Sequence, residues 1–177
     1  MDRRSVIKSS LAVTAGIILL PSCLQEKKRF TIALKNFNIS GDQESLLADL
    51  SEAIIPKTSS IGAKDISSHL FVLMMVDDCY NPDEQKKFVT GLLQFESMAK
   101  AKFGSSFTKC TQLQKEELLK AMESKTGIPE EAVSFYNSMK RLTIQSFTSS
   151  QFFLTKVHLY EQVPARFHGC VPIPKSS

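Results

Sequence analysis

Cysteine, histidine and paired carboxylates are the side chains of this sequence best able to do chemistry, and their spacing limits what they can do. The histidines are His69, His158 and His168, and the cysteines Cys23, Cys79, Cys110 and Cys170. A tetrahedral metal site needs ligand pairs at short fixed spacings such as C-x-x-C or H-x-x-x-H. His168-Gly169-Cys170 leaves a single residue between ligands, and no second pair exists, so no metal site is expected. Asp77-Asp78 is the one nearby pair of aspartates. Adjacent helical residues point about 100° apart, so the two do not converge on one substrate atom and should form a solvated helix end. His69 lies in an apolar stretch and reads as a core histidine that has found a hydrogen bond. The chain has no Gly-rich phosphate loop, no G-x-S-x-G and no C-x-x-C. No catalytic residue and no cofactor are therefore assigned to it.

The cysteines have a geometry of their own. A bond between Cys79 and Cys110 would have to close over an intervening helix from Pro82 to Phe103, about 31 Å long at 1.5 Å per residue. The return to Cys110 covers at most ~24 Å fully extended, and the steps before Pro82 ~10 Å. Both connections would have to run straight along the helix to reach the ~6 Å that a disulfide requires, which disfavours the bond. Cys170 sits beside the flexible Gly169 in a proline-rich tail. With Cys23 set apart, three cysteines remain, an odd number. In an oxidising compartment an odd cysteine points to a free thiol or a bond to another chain. Cys170 is the candidate for an interchain disulfide; pairing with Cys79 or Cys110 inside the chain is the alternative.

Cys23 is set apart by what precedes it. Arg3-Arg4-Ser5-Val6-Ile7-Lys8 leads into an apolar run from Leu11 to Leu20. A basic start followed by a short apolar stretch is the pattern of an export signal. The run is too short to span a hydrocarbon layer, which needs roughly twenty residues. The arginine pair, Arg3 and Arg4, points to the twin-arginine route. Leu20-Pro21-Ser22-Cys23 resembles a bacterial lipobox, in which the cysteine is acylated and becomes the first residue of the mature chain. The expected organisation is a leader over residues 1–22, a tether and extended arm over 23–39, and a helical domain over 40–177. Lipid attachment through Cys23 would place that domain on the periplasmic side of a bacterial membrane.

About 155 residues follow the leader, enough for one domain. The leader carries Arg3, Arg4 and Lys8 against Asp2, so the remainder has a net charge near +2. That is too weak and too dispersed for a nucleic-acid partner, which wants a clustered basic face.

The elements that must position these residues read as helices. Residues 28–39 alternate loosely and suggest a strand or an extended arm. Asp42 is a good N-cap for a first helix carrying Leu46, Leu47, Leu50, Ala53 and Ile54 at helical spacing, ended by Pro56. A second helix over 64–79 contains the run from Leu70 to Val76. It is apolar around nearly its whole circumference, so it should be buried all round. Asn81-Pro82 starts a third helix that stops at Gly104, with Phe88, Leu92, Phe95 and Ala99 on one face. Thr111 to Gln114 forms a capping-box pattern opening a fourth, closed by Gly127. Pro129 lies in the first turn of a fifth helix carrying Val133, Tyr136, Met139, Lys140 and Ile144. Residues 148–150 then cap a sixth running to about Tyr160. Pro164, Pro172, Pro174 and Gly169 make the rest an extended arm. The expected fold is all-α: a single bundle of five or six helices with an extended, Pro-containing C-terminal arm.

The end of the chain carries a likeness. Leu142 to Ser150, then Leu159-Tyr160, Val163-Pro164, Arg166-Phe167 and Gly169-Cys170-Val171-Pro172, resemble the C-terminal part of the gluconate 2-dehydrogenase subunit 3 family. Leu47 to Pro56 is similar to the family's first helix. Gln151 stands where an acidic residue is common in the family, and the lipobox departs from many members. The resemblance implies a small accessory subunit partnering a large flavoprotein dehydrogenase of the glucose–methanol–choline class, often with a cytochrome c subunit. FAD would then be in the partner, which would oxidise a sugar or sugar acid. Arg3 and Arg4 match the family's export signal and Cys170 its Gly-Cys-Val-Pro cysteine. Val163, Pro164, Arg166, Phe167, Gly169, Val171 and Pro172 would form the partner-contact arm. The alternative is a free-standing envelope lipoprotein that binds another protein or a ligand.

Overall fold

The structure, a computed structural model, describes residues 31–158 and Cys170. The described residues hold five α-helices, which we number α1 Gly41–Ile54, α2 Ser68–Cys79, α3 Pro82–Phe103, α4 Gln112–Ser124 and α5 Glu130–Thr148. A 3₁₀ turn at Phe107–Lys109 joins α3 to α4, and a π-helical turn at Phe153–Val157 follows α5. No strand occurs among the described residues, so the all-α expectation holds. Residues 31–39 form neither helix nor strand and bend at 31–32 and 35–36.

Helix boundaries follow local chemistry. The cap of α1 is Ser40, not Asp42. Ser40 Oγ accepts from the Gln43 amide and the Gln43 side chain accepts from the Ser40 amide, satisfying two orphan donors where Asp42 could serve one. Asp42 instead joins Glu44 in the first turn, where negative charge suits the helix dipole. Asn81 caps α3 as expected, with Pro82 at the first position and Glu84 completing a capping box. Gly104 ends it in the left-handed conformation at φ 69°, which costs glycine little. Thr111 and Gln114 form the expected box on α4. That helix ends at Lys125, itself left-handed at φ 57°, before Gly127 is reached. Pro129 is the cap of α5. The expected sixth helix is reduced to the short π-helical turn, and residues 159–169 and 171–177 lie outside the described residues.

α2 begins at Ser68 and is not buried all round. Val72, Leu73 and Val76 are fully enclosed, but Met74 is 49 % exposed. The face that meets α5 is core; the opposite face is open despite its composition. On α5 the buried stripe is Ala132, Phe135, Tyr136, Met139, Leu142, Thr143 and Ser146. Ile144 is turned outward, as are Met74 and the Leu93 side chain of α3.

α3 and α5 form the central pair, the largest contact between helices in the fold. Phe88 meets Phe135 edge-on with ring centres 5.0 Å apart. Phe95 packs on both Phe135 and Phe107, and Phe37 of the N-terminal segment packs against Phe88. The rings form one connected chain from the N-terminal segment through α3 and α5 to the 3₁₀ turn. Such pairs add about 0.5–1.5 kcal/mol each beyond burial. The helices approach closely at Gly91, where a side chain would overlap the Glu131 carbonyl and the Phe135 Cβ.

Gly91→Ala should therefore cost stability, because the obstacles include backbone and the helices must move apart. Overpacking of this kind costs about 1–3 kcal/mol, and Gly91→Val should cost more. Urea unfolding followed by circular dichroism would read it; an unchanged midpoint for both variants would refute the close approach.

Candidate functional site

Arg3, Arg4, Cys23, Val163, Pro164, Arg166, Phe167, Gly169, Val171 and Pro172 all lie outside the described residues. Cys170 is described and exposed, and its thiol is free. Cys79 is free and exposed; Cys110 is free and buried. The structure thus pairs none of these three cysteines, in keeping with a helix length that disfavours a bond between Cys79 and Cys110. Cys110 Sγ is near the Ser106 carbonyl, 3.5 Å away, and serves as a small core side chain. Cys79 does not: it stands at the open end of α2.

Asp77 and Asp78 have separate fates. Asp78 is solvated and lies 3.8 Å from the Lys35 ammonium. Asp77 is buried, which corrects the expectation of a solvated pair. Its carboxylate accepts the backbone amides of Lys35 and Asn36, each at 2.8 Å. The Asn36 side chain donates to the Asp77 carbonyl at 2.7 Å. Gln85, reaching back from α3, donates to the carbonyls of Val76, Asp77 and Tyr80. These are carbonyls at the end of α2 that have no helical partner of their own. Asp77 thus fastens the N-terminal segment to the α2–α3 corner, and Gln85 fastens the corner to itself. Burial alone would push the Asp77 carboxyl up. The two amides, the Lys35 charge and the Asn36 side chain outweigh it and hold the group below the usual carboxylate range. The sequence carried one signal for this: an acid in the last turn of a helix opposes the dipole and needs a local reason to be there.

A second carboxylate holds the other end of the segment. Glu44 is buried and accepts the Thr31 amide at 2.9 Å. His69 lies beside it, Nε2 3.9 Å from the Glu44 carboxylate, too far for a hydrogen bond. Nδ1 is buried with no partner. The expected hydrogen bond of His69 is therefore missing. Burial lowers its pKa, Glu44 opposes that shift, and Lys64 adds to it. Neutral imidazole is favoured in the fold.

At the far end of α5, Phe147 packs edge-on against Phe152 and Phe153, with ring centres 6.3 and 6.1 Å away. The three rings are only half-buried. Val157 and Ile144 are exposed at 59 % and 42 %. Periodicity alone does not find this patch, because the π-helical turn breaks the helical spacing. The arrangement offers contact surface and fastened segments. Among the described residues no group of three or more His, Cys, Asp or Glu side chains is placed to hold a metal ion. No helix among them is long and apolar enough to cross a membrane.

A family model described as gluconate 2-dehydrogenase subunit 3 matches residues 41–165. The match begins at the first residue of α1 and runs through all five helices and the aromatic patch. No curated protein and no solved structure matches the chain.

Asp77→Ala should release the segment around Lys35. Two amides lose a charged acceptor, a loss of about 2–4 kcal/mol, and trypsin should cut after Lys35 faster than in the wild type; equal rates would refute the fastening. Because the Asp77 pKa is lowered on folding, its contribution is present above about pH 4 and fades as pH falls through the folded value. His69 is lowered too, but for a base the consequence starts higher. The unfolded chain takes up a proton near pH 6.5 before the fold does, so stability should decline as pH falls below that. His69→Gln should flatten the melting-temperature profile between about pH 7 and 5; a profile with wild-type slope would show that His69 is not the group responsible.

Proposed function

The chain belongs to the gluconate 2-dehydrogenase subunit 3 family, and on that premise we propose that it is the small, non-catalytic subunit of an exported FAD-dependent sugar or sugar-acid dehydrogenase. The family match over residues 41–165 carries this reading, since it points to an accessory subunit of a dehydrogenase complex. The large subunit, a flavoprotein of the glucose–methanol–choline class, would hold the FAD and perform the oxidation. A cytochrome c subunit would take the electrons onward. This chain would supply the export signal, assist assembly, and tie the complex to the bilayer through Cys23.

The physical argument starts from the cargo. The twin-arginine route carries proteins already folded. A small helical domain with no assigned cofactor gains nothing from folding before export, whereas a flavoprotein with its bound cofactor does. Arg3 and Arg4 then serve the partner as much as this chain. The half-buried rings of Phe147, Phe152 and Phe153 support a protein-contact role. The exposed Cys170 thiol supports a bond to the partner, beside the proposed contact arm from Val163 to Pro172.

The test is to tag this chain in its native cells and recover what travels with it. A flavin-bearing large subunit should co-purify from the periplasmic fraction. Arg3→Lys combined with Arg4→Lys should leave both subunits in the cytoplasm. On non-reducing electrophoresis a high-mass band should vanish in Cys170→Ser; its persistence would exclude Cys170 as the linking thiol. A mature chain recovered as a stable monomer without any flavoprotein would overturn the proposal and favour a free-standing lipoprotein.

A further inference from the structure

The α2–α3 corner and the middle of α5 enclose a cleft of about 350 Å³. Its floor is the buried, edge-packed ring pair Phe88–Phe135. Its rim carries two cations, Lys87 and Arg141. Neither makes an ion pair among the described residues, although most of the other lysines there do. Arg141 is the one arginine of residues 31–158. One of its terminal nitrogens, Nη2, donates to the Tyr80 hydroxyl at 2.8 Å. That bond restrains the guanidinium while leaving other N–H groups free, and a planar fork of donors is the group best suited to a carboxylate. The single acid of the cleft, Glu84, is already engaged: it accepts the Asn81 amide as part of the α3 capping box. The corner itself is held by Gln85 and Asp77. The cleft is thus an aromatic floor under a rim whose two cations outnumber its one carboxylate.

We propose that this cleft receives an acidic segment of the large dehydrogenase subunit, an Asp or Glu carboxylate seated on Arg141 and Lys87 with an adjoining apolar side chain against Phe88 and Phe135. The inference rests on the preceding proposal for the existence of that subunit, and on charge complementarity for the choice of segment. It adds a polar contact distinct from the Cys170 bond and the aromatic patch. Charged contacts of this kind set register and partner choice, and like charges placed opposite each other suppress association.

The complex is recovered through tagged full-length chain co-expressed with its flavoprotein. Arg141→Glu and Lys87→Glu should each lower the recovered flavoprotein about tenfold or more, with Arg141→Lys intermediate. Both side chains are exposed, so the melting curves of the isolated variants should match the wild type. Cys79 lines the same cleft with an exposed thiol and gives an independent footprint. Maleimide labelling, read by mass spectrometry on the Cys79 peptide, should be several-fold slower in the wild-type complex than in the isolated chain. If the wild-type complex forms while the charge-reversed variants recover as much flavoprotein and Cys79 labels equally fast in both states, the cleft is not the contact and only this inference falls. If the wild-type chain recovers no flavoprotein at all, the underlying assignment falls and takes the inference with it.

Discussion

The close approach of α3 and α5 at Gly91 is the constraint on which the rest of this fold rests. Without a side chain at that position, the Glu131 carbonyl and Phe135 come up against the α3 backbone. That distance lets Phe88, Phe95 and Phe135 interlock. Phe107 and Phe37 join the same network from the 3₁₀ turn and the N-terminal segment. A larger residue at 91 would not merely crowd one contact. It would separate α3 from α5, the helix on which α1, α2 and α4 also pack, and in a close-packed interior such a displacement is felt throughout.

Around this apolar centre, carboxylates do the fastening. Asp77 and Glu44 hold the N-terminal segment by its amides. Glu52 accepts the amides of Lys57 and Lys64 across the loop after α1. Asp49 meets Lys64 at 2.6 Å and Lys115 of α4 at 3.7 Å. Glu123 ties α4 to α5 through Tyr136 and Lys140. The exposed pairs contribute little individually. The amide-bound carboxylates matter more, because each satisfies backbone donors that a loop could not otherwise satisfy. Small helical domains have few ways to order extended segments, and this one uses acids whose targets are main chain.

How much of this was legible depended on whether the signal was local. Asn81-Pro82, Gly104 and the Thr111–Gln114 box mark helix ends through interactions four residues or fewer apart, and those ends fell where the sequence put them. The Phe88–Leu92–Phe95–Ala99 face was readable because a single period governs it. Asp77 was not, since its partners stand more than forty residues away. Ser40 was passed over for Asp42 because a stronger isolated cap can lose to a reciprocal pair. The open side of α2 could not be read from α2 at all: the neighbours decide which apolar face is covered. For the candidate site, the cysteines were placed by arithmetic, whereas the cleft under Arg141 exists only once α5 is laid against the corner.

The π-helical turn at Phe153–Val157 has an effect on the chain that follows it. A π turn closes its hydrogen bond over five residues, as the His158 amide does onto the Phe153 carbonyl at 2.7 Å. Each helical residue advances about 100° around the axis, so the added residue turns the chain at His158 by about that angle relative to an uninterrupted α-helix. The turn therefore fixes the bearing of the chain at His158. What is constrained here is the residue count rather than side-chain identity. A one-residue deletion between Phe153 and Val157 would leave the core composition intact and yet bring His158 out on a different bearing.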